Sequence, residues 1–462
     1  MKVEPFSVGP IVGATTHESV RIFGRGEHEP DRGRPRRLHA VLRLRPMGGQ
    51  FGRPRYTKLN PNFDMTGVIV LSGLHADTLY EYQAGFVFSD VASRDIDLAG
   101  VLDWSQVKPH TFRSGARDDG EARNLVVGSC RYLLRLFGGS WFDDRGDKTF
   151  RSIGKQLGQR RRLHALLMVG DQIYADDLNV LAPDQAIDEF NRRYQIVFSQ
   201  EHVRTLMASL PTYMTLDDHE IEDNWPAKAS LSDYVTKFPA AIHAYQTYQL
   251  SHSPLHPVAD GRITAPPDHL WYTHRDGCCD FFFMDTRTER DLDGPVREMV
   301  SEEQLVSLLD WLADGSGRVK VVATSVPFWE SESDDKWHGF PEQRDRILEH
   351  IRERGIQRVL ILSGDVHASM SSELRAPGHP GFKIVSVVSS AFFWPYPHPF
   401  KRSFHLAGPI QTNTGIRYRV RNASEVRSTD NFTILRVDRE GVRVQVRSRK
   451  GALLGSKRHR FA

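Results

Sequence analysis

Short apolar runs, each three to five residues long, recur after about residue 119 and alternate with segments of helical periodicity. Runs with no polar alternation are typical of strands that are buried on both faces of a sheet. Their alternation with helices predicts an α/β or α+β fold, and no other feature constrains the fold as strongly. The runs are Leu125–Val127, Ala165–Val169, Tyr213–Leu216, Phe281–Met284, Val319–Ala323, Val359–Leu362 and Ile384–Val388.

The clearest helix between these runs begins after Ser301, which we expect to be its N-cap. Gln304, three residues later, completes the pattern of a capping box, and Gly315 lies beyond the helix end. A second helix is expected from about Glu342 to Gly355. The first helix has one apolar face, formed by Leu305, Leu308, Leu309 and Leu312.

The first 118 residues have a different pattern, because short β-type runs are separated by Gly, Pro and Asp with no convincing helix. The pattern predicts a small all-β sandwich of the fibronectin or immunoglobulin type, and Leu74–Tyr82 resembles the strand-entry corner of such domains. The runs are Ser19–Phe23, Val41–Leu44, Gly67–Leu71 and Tyr80–Phe88.

The polar segment Arg117–Ala122 is interpreted as a linker between two domains. It divides the chain into the β-sandwich domain, residues 1–118, and a larger domain, residues 119–462. Near the C-terminus, Phe432–Val437 and Val442–Val446 are joined through Asp438–Gly441 and predict a hairpin. We assign this hairpin to the sheets of the larger domain.

The overall charge balance does not indicate a nucleic-acid-binding protein, because 61 basic residues face 58 acidic ones for a formal net charge of +3. The basic triplet Arg160–Arg162 is expected to end a helix, where cations complement the helix dipole. A second basic cluster is interpreted as a solvated loop; it consists of Arg32, Arg34, Arg36 and Arg37. Nucleic acid is therefore expected, if at all, only as a substrate.

The sequence contains neither a secretory leader nor a run of about 18 apolar residues that could span a membrane. As it stands it predicts a cytoplasmic protein without a membrane partner, or an exported one if a leader has been removed. It assigns no oligomeric state. Of the three cysteines, Cys278 and Cys279 are neighbours that close a disulfide only with strain, so Cys130 needs its own explanation.

Four polar clusters each follow directly after a predicted strand, and they are the strongest functional signal in the chain. Because the carboxyl ends of strands share one edge of an α/β sheet, side chains that are distant in sequence can converge there into one site. The clusters are Ser129–Arg131, Gly170–Tyr174, Asp217–Glu220 and Gly364–His367.

Each cluster taken alone has an ordinary explanation. Cys130 could be a buried, inert thiol, Asp171 a turn cap and Tyr174 a half-buried aromatic residue. The acidic group around Asp218 could be a solvated turn, and histidines are common in cores. Together, however, three carboxylates, two histidines, a thiol and a phenol at strand ends need a cation to offset their repulsion, so a metal site is predicted.

These clusters resemble the PhoD-like alkaline phosphatases (alkaline phosphatase D), a family of the calcineurin-like metallophosphoesterases. The resemblance covers nearly the whole chain and implies a four-layer metallophosphoesterase sandwich behind the N-terminal β-sandwich. The sequence departs from the family pattern at Arg131 and at Thr288–Arg290, which leaves substrate preference open. Three further stretches carry the resemblance: Gly9–Gly13, Met284–Arg287, and Asp335–Phe340 together with Arg344.

The resemblance implies that Asp171 bridges two metal ions and that Tyr174 matches the tyrosine with which purple acid phosphatases bind ferric iron. Cys130 stands where most members have an Asp, and His367 stands at the last His of their Gly-His-X-His motif. A thiolate, a phenolate and an imidazole together suit Fe³⁺. The second metal position would be all oxygen and suits Ca²⁺, Mg²⁺ or Mn²⁺; its ligands would be Asp171, Asp218, Asp365 and the carbonyl of Asn224.

The implied activity is hydrolysis of a phosphomonoester or phosphodiester, in which the two metals activate water and His219 protonates the leaving oxygen. Asp217 and Arg287 are also assigned to the catalytic group. Arg131, Arg287 and Asn224 are expected to bind the substrate, although an arginine after a strand is more often a surface ion-pair partner.

Two alternatives remain at this stage. The chain could be a non-catalytic binding protein that uses a metallophosphatase-like domain as a scaffold. The aromatic run Phe392–Pro397 could wall the active-site cleft or could simply pack in the core.

Overall fold

The computed structural model describes residues 1–27, 37–89, 102–133, 135–136, 141–158, 162–177, 183–259, 262–329, 333–396 and 408–462. The sequence interpretations that concern Arg32, Arg34, Arg36, Arg160, Arg161 and Pro397 lie outside these residues. Within them, no helix is both long and apolar enough to cross a membrane.

In the described part of the N-terminal region the regular elements are strands, as predicted, apart from a short 3-10 turn at Pro61–Phe63. The strands are β1 (Val8–Thr15), β2 (Ser19–Arg25), β3 (Arg37–Pro46), β4 (Arg55–Lys58), β5 (Thr66–Ser72), β6 (Leu79–Ser89) and β7 (His110–Arg113). They form two antiparallel sheets with the orders β1-β2-β5 and β4-β3-β6-β7.

Alternate residues of these strands meet in one core between the two sheets. Val20 and Ile22 of β2 lie in the same apolar cluster as Leu38, Ala40 and Leu42 of β3, as the period of two in a strand requires. The predicted corner is also present, since the hydroxyl of Tyr80 accepts a hydrogen bond from the backbone N–H of His75 at 2.8 Å. The domain boundary at residue 118 and the fibronectin or immunoglobulin type stay predictions.

The remainder of the chain alternates strands and helices. In its first half these are β8 (Arg123–Gly128), β9 (Arg135–Leu136), β10 (Trp141–Phe142), α1 (Arg145–Gly158), β11 (Ala165–Val169), α2 (Ile187–Phe198), α3 (Glu201–Met207), β12 (Thr212–Thr215), α4 (Leu231–Val235), α5 (Lys237–Tyr245), β13 (Val258–Ala259), β14 (Arg262–Ile263), β15 (Tyr272–Asp276) and β16 (Cys279–Phe283). A π-helical segment, Gln246–Leu250, continues α5.

The second half of this region ends in antiparallel strands. Its elements are α6 (Glu302–Ala313), β17 (Val319–Ala323), α7 (Pro341–Glu353), β18 (Val359–Ser363), β19 (Met370–Ala376), β20 (His379–Val388), β21 (Ile410–Gln411), β22 (Arg417–Arg421), β23 (Asn431–Asp438), β24 (Gly441–Ser448) and β25 (Leu453–Arg460). All seven predicted buried strands and the C-terminal hairpin β23–β24 are confirmed.

Two mixed sheets dominate this region. The six-stranded sheet has the order β12-β11-β8-β23-β24-β25, with the first three strands parallel. The eight-stranded sheet has the order β15-β16-β17-β18-β20-β19-β22-β21, with β16, β17, β18 and β20 parallel. The C-terminal hairpin completes the six-stranded sheet beside β8, as the sequence predicts.

The eight-stranded sheet separates two apolar cores. Phe281 and Leu360 share a core with residues of the six-stranded sheet such as Leu167, so the two sheets pack face to face. The adjacent residues Phe282 and Ile361 point to the other face. There they pack with Leu305, Leu308 and Leu312 of α6 and with Ile347, Leu348 and Ile351 of α7.

The cap of α6 differs from the prediction in one bond. Ser301 Oγ accepts the Gln304 N–H at 3.2 Å, as expected for an N-cap. The Gln304 side chain does not return to Ser301; it exchanges hydrogen bonds of 3.0 Å with the backbone of Asp285. Glu289 accepts the Ser301 N–H instead, at 3.1 Å. The reciprocal half of the predicted capping box is therefore wrong, because buried Gln304 holds the loop after β16.

Strand β1 packs the N-terminal sheets against the rest of the molecule. The Ala14 N–H donates to the carbonyl of His252 at 2.8 Å. A Cβ on Gly13 would lie 2.2 Å from the same carbonyl oxygen, so only glycine allows this approach. From the other side, Arg204 donates to the carbonyls of Phe6 and Gly9 at 2.6 and 2.9 Å.

Candidate metal centre

The four polar clusters of the sequence lie together at the carboxyl ends of β8, β11, β12 and β18. The Cys130 N–H donates to the carbonyl of Gly170 at 3.2 Å, and the Asp365 N–H donates to Ser129 Oγ at 3.2 Å. The first bond links the ends of β8 and β11 within the six-stranded sheet, and the second joins that sheet to the end of β18 in the eight-stranded sheet. A Cβ on Gly364 would lie 2.2 Å from Ser129 Oγ, so glycine is required where the two edges meet.

Several of the predicted site residues have a left-handed backbone, which non-glycine residues adopt uncommonly and at a cost in conformational energy. Their φ angles are 55° for Cys130, 56° for Asp171, 59° for Asn224, 67° for Asp365 and 51° for His367. Such strain concentrates at functional sites, where it turns side chains into positions that regular backbone does not provide.

Four carboxylates converge in this region. Asp171, Asp217, Asp218 and Asp365 each contribute an oxygen to a group whose atoms all lie within 4.8 Å of one another. Asp171, Asp218 and His219 form a second such group. Among the described residues, Asp171 Oδ1 and Asp217 Oδ2 are buried without a hydrogen-bond donor. Buried carboxylate oxygens without a donor are costly, so this donor set fits hard cations.

The shifted pKa values of these carboxyl groups show that the basic side chains of the protein balance their negative charge only in part. Burial, followed by the neighbouring Asp217, raises the pKa of Asp171 well above its ordinary value. Burial raises the pKa of Asp217 to about 6, although Arg287 opposes it. Burial would also raise the pKa of Asp218, but Arg287 and His219 lower it to about 2. A bound cation would remove this repulsion.

Cys130 and Tyr174 meet at one oxygen of Asp171. The Cys130 thiol donates to Asp171 Oδ2 at 3.1 Å, and the Tyr174 hydroxyl donates to the same oxygen at 3.4 Å. Burial is the largest cause that raises the pKa of both groups, and the Asp171 charge adds to it. Metal binding would release both protons, since thiolate and phenolate are the forms that bind iron.

His367 is linked to Cys130 through Ser390. Ser390 Oγ donates to Cys130 Sγ at 3.0 Å and accepts the backbone N–H of His367 at 3.0 Å. The imidazole stacks on Trp394 with ring centroids 3.8 Å apart. His367 is not in either of the ligand groups that converge within 4.8 Å in the described part of the chain.

His219 is held by a carboxylate that the sequence interpretation missed. Its Nδ1 bonds to both oxygens of Asp176 at 3.1 and 3.0 Å, and Asp176 also accepts the N–H of Asp223 at 2.9 Å. Burial would lower the pKa of His219, but Asp218, Asp171 and Asp176 raise it well above its ordinary value. Asp176 stands two residues after Tyr174 in the same polar turn, which is the signal that could have identified it.

Glu220 connects the turns that carry Asp171 and Asp217. Its carboxylate accepts the N–H groups of Asp171, Gln172 and Asp217 at 3.2, 2.6 and 2.9 Å. Burial raises its pKa to about 7. Glu220 is fully buried and fixes the backbone of the site. It is therefore not part of a solvated acidic turn, which was the alternative for this cluster.

Arg287 is close to the carboxylates, but its donors are already used. Its Nε donates to Asp217 Oδ1 at 2.6 Å, and its two terminal nitrogens bind Asp335 at 2.8 and 3.0 Å. A terminal nitrogen also lies 3.5 Å from Asp218 Oδ1. The guanidinium is completely buried. This geometry supports a role in positioning Asp217 and Asp218, and it argues against the phosphate contact expected from the sequence.

Arg131 is also placed differently from the expectation. Its guanidinium donates to the carbonyl of Val197 at 2.9 Å, lies 3.4 Å from Asp147 and sits over the ring of Phe150. The side chain is 1% exposed. The residue follows β8 but turns into the core, so this geometry supports a packing role and argues against the substrate contact expected from the sequence.

Two further residues complete the site. Lys336 bonds to Asp335 at 3.1 Å and makes an ion pair with Asp365. It was part of the Asp335–Phe340 stretch but had no assigned role. The backbone N–H of Asn224 donates to Asp218 Oδ2 at 2.7 Å, which places this half-buried residue beside Asp218; the roles expected of Asn224 in metal and substrate binding stay predictions.

Comparison with known proteins agrees with this geometry. Residues 135–413 match the PhoD-like phosphatase family. The chain is 27% identical over 218 residues to alkaline phosphatase D of Bacillus subtilis (strain 168). The aligned part is 41% of this chain. It spans 36%, about a third, of the length of that curated relative.

Two solved structures share the fold over 99% of this chain. A structure of PhoD has a TM-score of 0.71 at 17% identity, with 89% of that chain covered. Purple acid phosphatase PPD1 from yellow lupin (Lupinus luteus) seeds has a TM-score of 0.61 at 12% identity, with 74% covered. The match over residues 135–413 includes most of the strand-end cluster, and the chain belongs to the PhoD-like phosphatase family.

Proposed function

We propose that this protein is a metal-dependent phosphoester hydrolase, similar to alkaline phosphatase D, that acts on phosphomonoesters or phosphodiesters. The observation that carries the proposal is the buried convergence of Asp171, Asp217, Asp218 and Asp365, including oxygens that lack a donor. Family membership supplies independent support.

The proposed centre holds two metal ions on chemically different sides. Cys130, Tyr174 and His367 would hold Fe³⁺, while Asp218, Asp365 and the Asn224 carbonyl would hold Ca²⁺, Mg²⁺ or Mn²⁺; Asp171 would be shared. Such a pair supplies Lewis-acid stabilisation of phosphoryl oxygens and promotes ionisation of water near neutral pH.

His219 is proposed to protonate the leaving oxygen. Its Nδ1 is bonded to Asp176, which leaves Nε2 for the substrate and fixes the ring orientation. Asp176, which is not among the proposed metal ligands, favours the protonated imidazole and would keep the donor form available before the ester bond breaks.

The basic residues are proposed to have separate roles. Arg287 holds Asp217, which Ser325 Oγ also bonds at 2.9 Å, so the Asp217 carboxylate keeps a fixed orientation toward the cluster. Lys336 pairs with Asp365 and is, instead of Arg131, the residue that we propose to bind a phosphate oxygen.

Elemental analysis of the purified protein, coupled to a panel of chromogenic monoesters and diesters, tests the proposal. We expect iron together with a divalent ion, and turnover that chelation abolishes. His219→Ala should lose about 100-fold or more in kcat with its metals retained. No turnover of either ester class with Fe, Ca, Mg or Mn would contradict the enzyme assignment and favour a non-catalytic binding protein.

A further inference from the structure

The aromatic run that begins at Phe392 divides into two functional halves. Phe392 and Phe393 are buried, and Phe392 packs on Phe150 of α1 with ring centroids 4.9 Å apart. Trp394 extends in the other direction, toward the candidate ligands Tyr174 and His367, and Tyr396 packs on its outer side. The run therefore both packs the core and lines the site.

The second half belongs to a continuous series of ring contacts that begins at a candidate metal ligand. Tyr174 contacts Tyr132 at a centroid distance of 5.1 Å and Trp394 at 6.0 Å. Trp394 in turn contacts Tyr396 at 5.3 Å and stacks on His367 at 3.8 Å. The rings thus form one wall from the buried cluster outward.

The outer end of the wall is open to solvent. Tyr396 is 40% exposed, whereas Tyr174 is only 3% exposed. A cavity of about 290 Å³ lies against His367, Trp394 and Tyr396. This volume is close to the lower limit of about 300 Å³ for small-molecule sites, so the cavity suits one ring-sized group.

We propose that Trp394 and Tyr396, backed by Tyr132, form a subsite that binds a neutral, planar aromatic leaving group of the substrate. The assignment rests on the proposed phosphoesterase function and deepens it. A phosphoryl group at the carboxylate cluster would place its ester substituent along this wall. The Tyr174 ring contacts both Trp394 and, at 4.3 Å, the candidate proton donor His219.

The charges of the cavity favour a neutral ring over a cation. Asp430 also lines the cavity. However, its Oδ1 accepts a hydrogen bond from the backbone N–H of Trp394 at 3.0 Å, and its Oδ2 pairs with Arg449 at 3.4 Å. The Asp430 carboxylate therefore already has hydrogen-bond and ion-pair partners within the protein. The rest of the lining consists of the rings of His367, Trp394 and Tyr396 together with the small residues Ala391, Ser428 and Thr429. The ring faces and edges attract another aromatic ring in offset or edge-to-face geometry.

Calorimetric titration with non-hydrolysable phosphonates tests the subsite without requiring turnover. The probes are benzylphosphonate, in which CH₂ replaces the ester oxygen, and n-propylphosphonate as its alkyl match; the protein is used with its metal content measured. We expect wild type to bind the benzyl compound about tenfold more tightly. Tyr396→Ala should reduce this ratio to about twofold, and Tyr396→Phe should keep it.

Leu453→Ala, a change at a residue that is 52% exposed on β25, serves as the control and should retain the wild-type ratio. Equal binding of the two probes by wild type, or an unchanged ratio in Tyr396→Ala, would overturn the subsite. Tighter binding of 3-(trimethylammonio)propylphosphonate than of benzylphosphonate would overturn the choice of a neutral ring.

Parallel turnover assays separate this proposal from the function on which it rests. Absence of phosphoester turnover with the benzyl preference intact would refute the hydrolase and support the ring subsite. Turnover by wild type without any benzyl preference would refute the subsite alone.

Discussion

At the residue scale, the proposed chemistry depends on two candidate metal ligands that share one carboxylate oxygen. The Cys130 thiol and the Tyr174 hydroxyl both point at Asp171 Oδ2, and burial disfavours the charged form of each. Burial and the charges of Asp171 and Asp365 oppose the thiolate of Cys130, so this thiol would be inert without a metal. In the proposed centre the same thiol would become a strong ligand once a cation is bound.

Replacing this sulfur should therefore remove iron without unfolding the protein. Cys130→Ser keeps the size of the side chain, and the serine can still donate to Asp171. We expect iron content to fall at least about tenfold, since even outer partners of metal ligands are worth about 10- to 100-fold in affinity. Elemental analysis and visible absorption check this. Cys278→Ser, at another buried cysteine, is the control; wild-type iron in Cys130→Ser would exclude sulfur ligation.

The bond between Asp176 and His219 makes a second prediction at this scale. Asp176→Asn should keep the metals but lower kcat about 10- to 100-fold, because the imidazole loses its orientation and its charge partner. The loss should be larger for alkyl esters than for nitrophenyl esters, whose leaving group needs no proton. Steady-state kinetics on both ester types measure this. An equal loss for both would mean that Asp176 acts only on structure.

At the element scale, the strands were predictable because burial on both faces leaves a continuous apolar run. Their polar ends were also predictable as one site, since parallel strands end at one edge. The direction of individual side chains was not predictable. Arg131 and Lys336 carry the same charge, yet Arg131 turns to Val197 and Lys336 to Asp365, and only the packing around them decides this. The partner of Gln304 was missed for the same reason.

The contact between the two sheet edges predicts a severe effect of one methyl group. In Gly364→Ala, the new Cβ would lie 2.2 Å from Ser129 Oγ and 2.8 Å from the carbonyl of Val169. We expect a loss of about 1–3 kcal/mol in the free energy of unfolding and a lower metal content, because the backbone must shift. Urea unfolding and elemental analysis measure both effects.

The matched control is Gly154→Ala in α1, where a Cβ would meet nothing within 4 Å. Alanine at this helical position should stabilise the protein by about 0.5–1 kcal/mol. Equal stability of the Gly364 and Gly154 variants would show that the sheet edges tolerate separation.

At the scale of the whole molecule, the N-terminal sheets and the mixed sheets meet through a polar and closely packed interface. Arg21 donates to the carbonyls of Ser253 and His256 at 2.6 and 2.8 Å, and the Tyr82 hydroxyl donates to that of Ala208 at 2.7 Å. His252 lies at the centre of this interface, 1% exposed, beneath Gly13. A charge introduced there would affect both parts of the chain.

His252 should therefore make the stability of the molecule sensitive to mild acid. Burial lowers its pKa to about 4, and Arg21 and His256 add to the effect. The unfolded chain, with a pKa of about 6.5, binds the proton more strongly, so the stabilisation is complete above pH 6.5 and decreases as pH falls toward 4. A difference of about 2.5 pKa units corresponds to about 3 kcal/mol in full, of which about 2 kcal/mol is lost by pH 5.

In His252→Gln and His252→Phe, urea unfolding between pH 7.5 and 5 should show a correspondingly shallower pH dependence of the unfolding free energy, whatever the change in stability at neutral pH. His17→Gln, at a half-buried residue whose side chain is 42% exposed, is the control and should keep the wild-type slope. Slopes in the His252 variants that match wild type would contradict the assignment, because His252 is the titratable group that these variants remove.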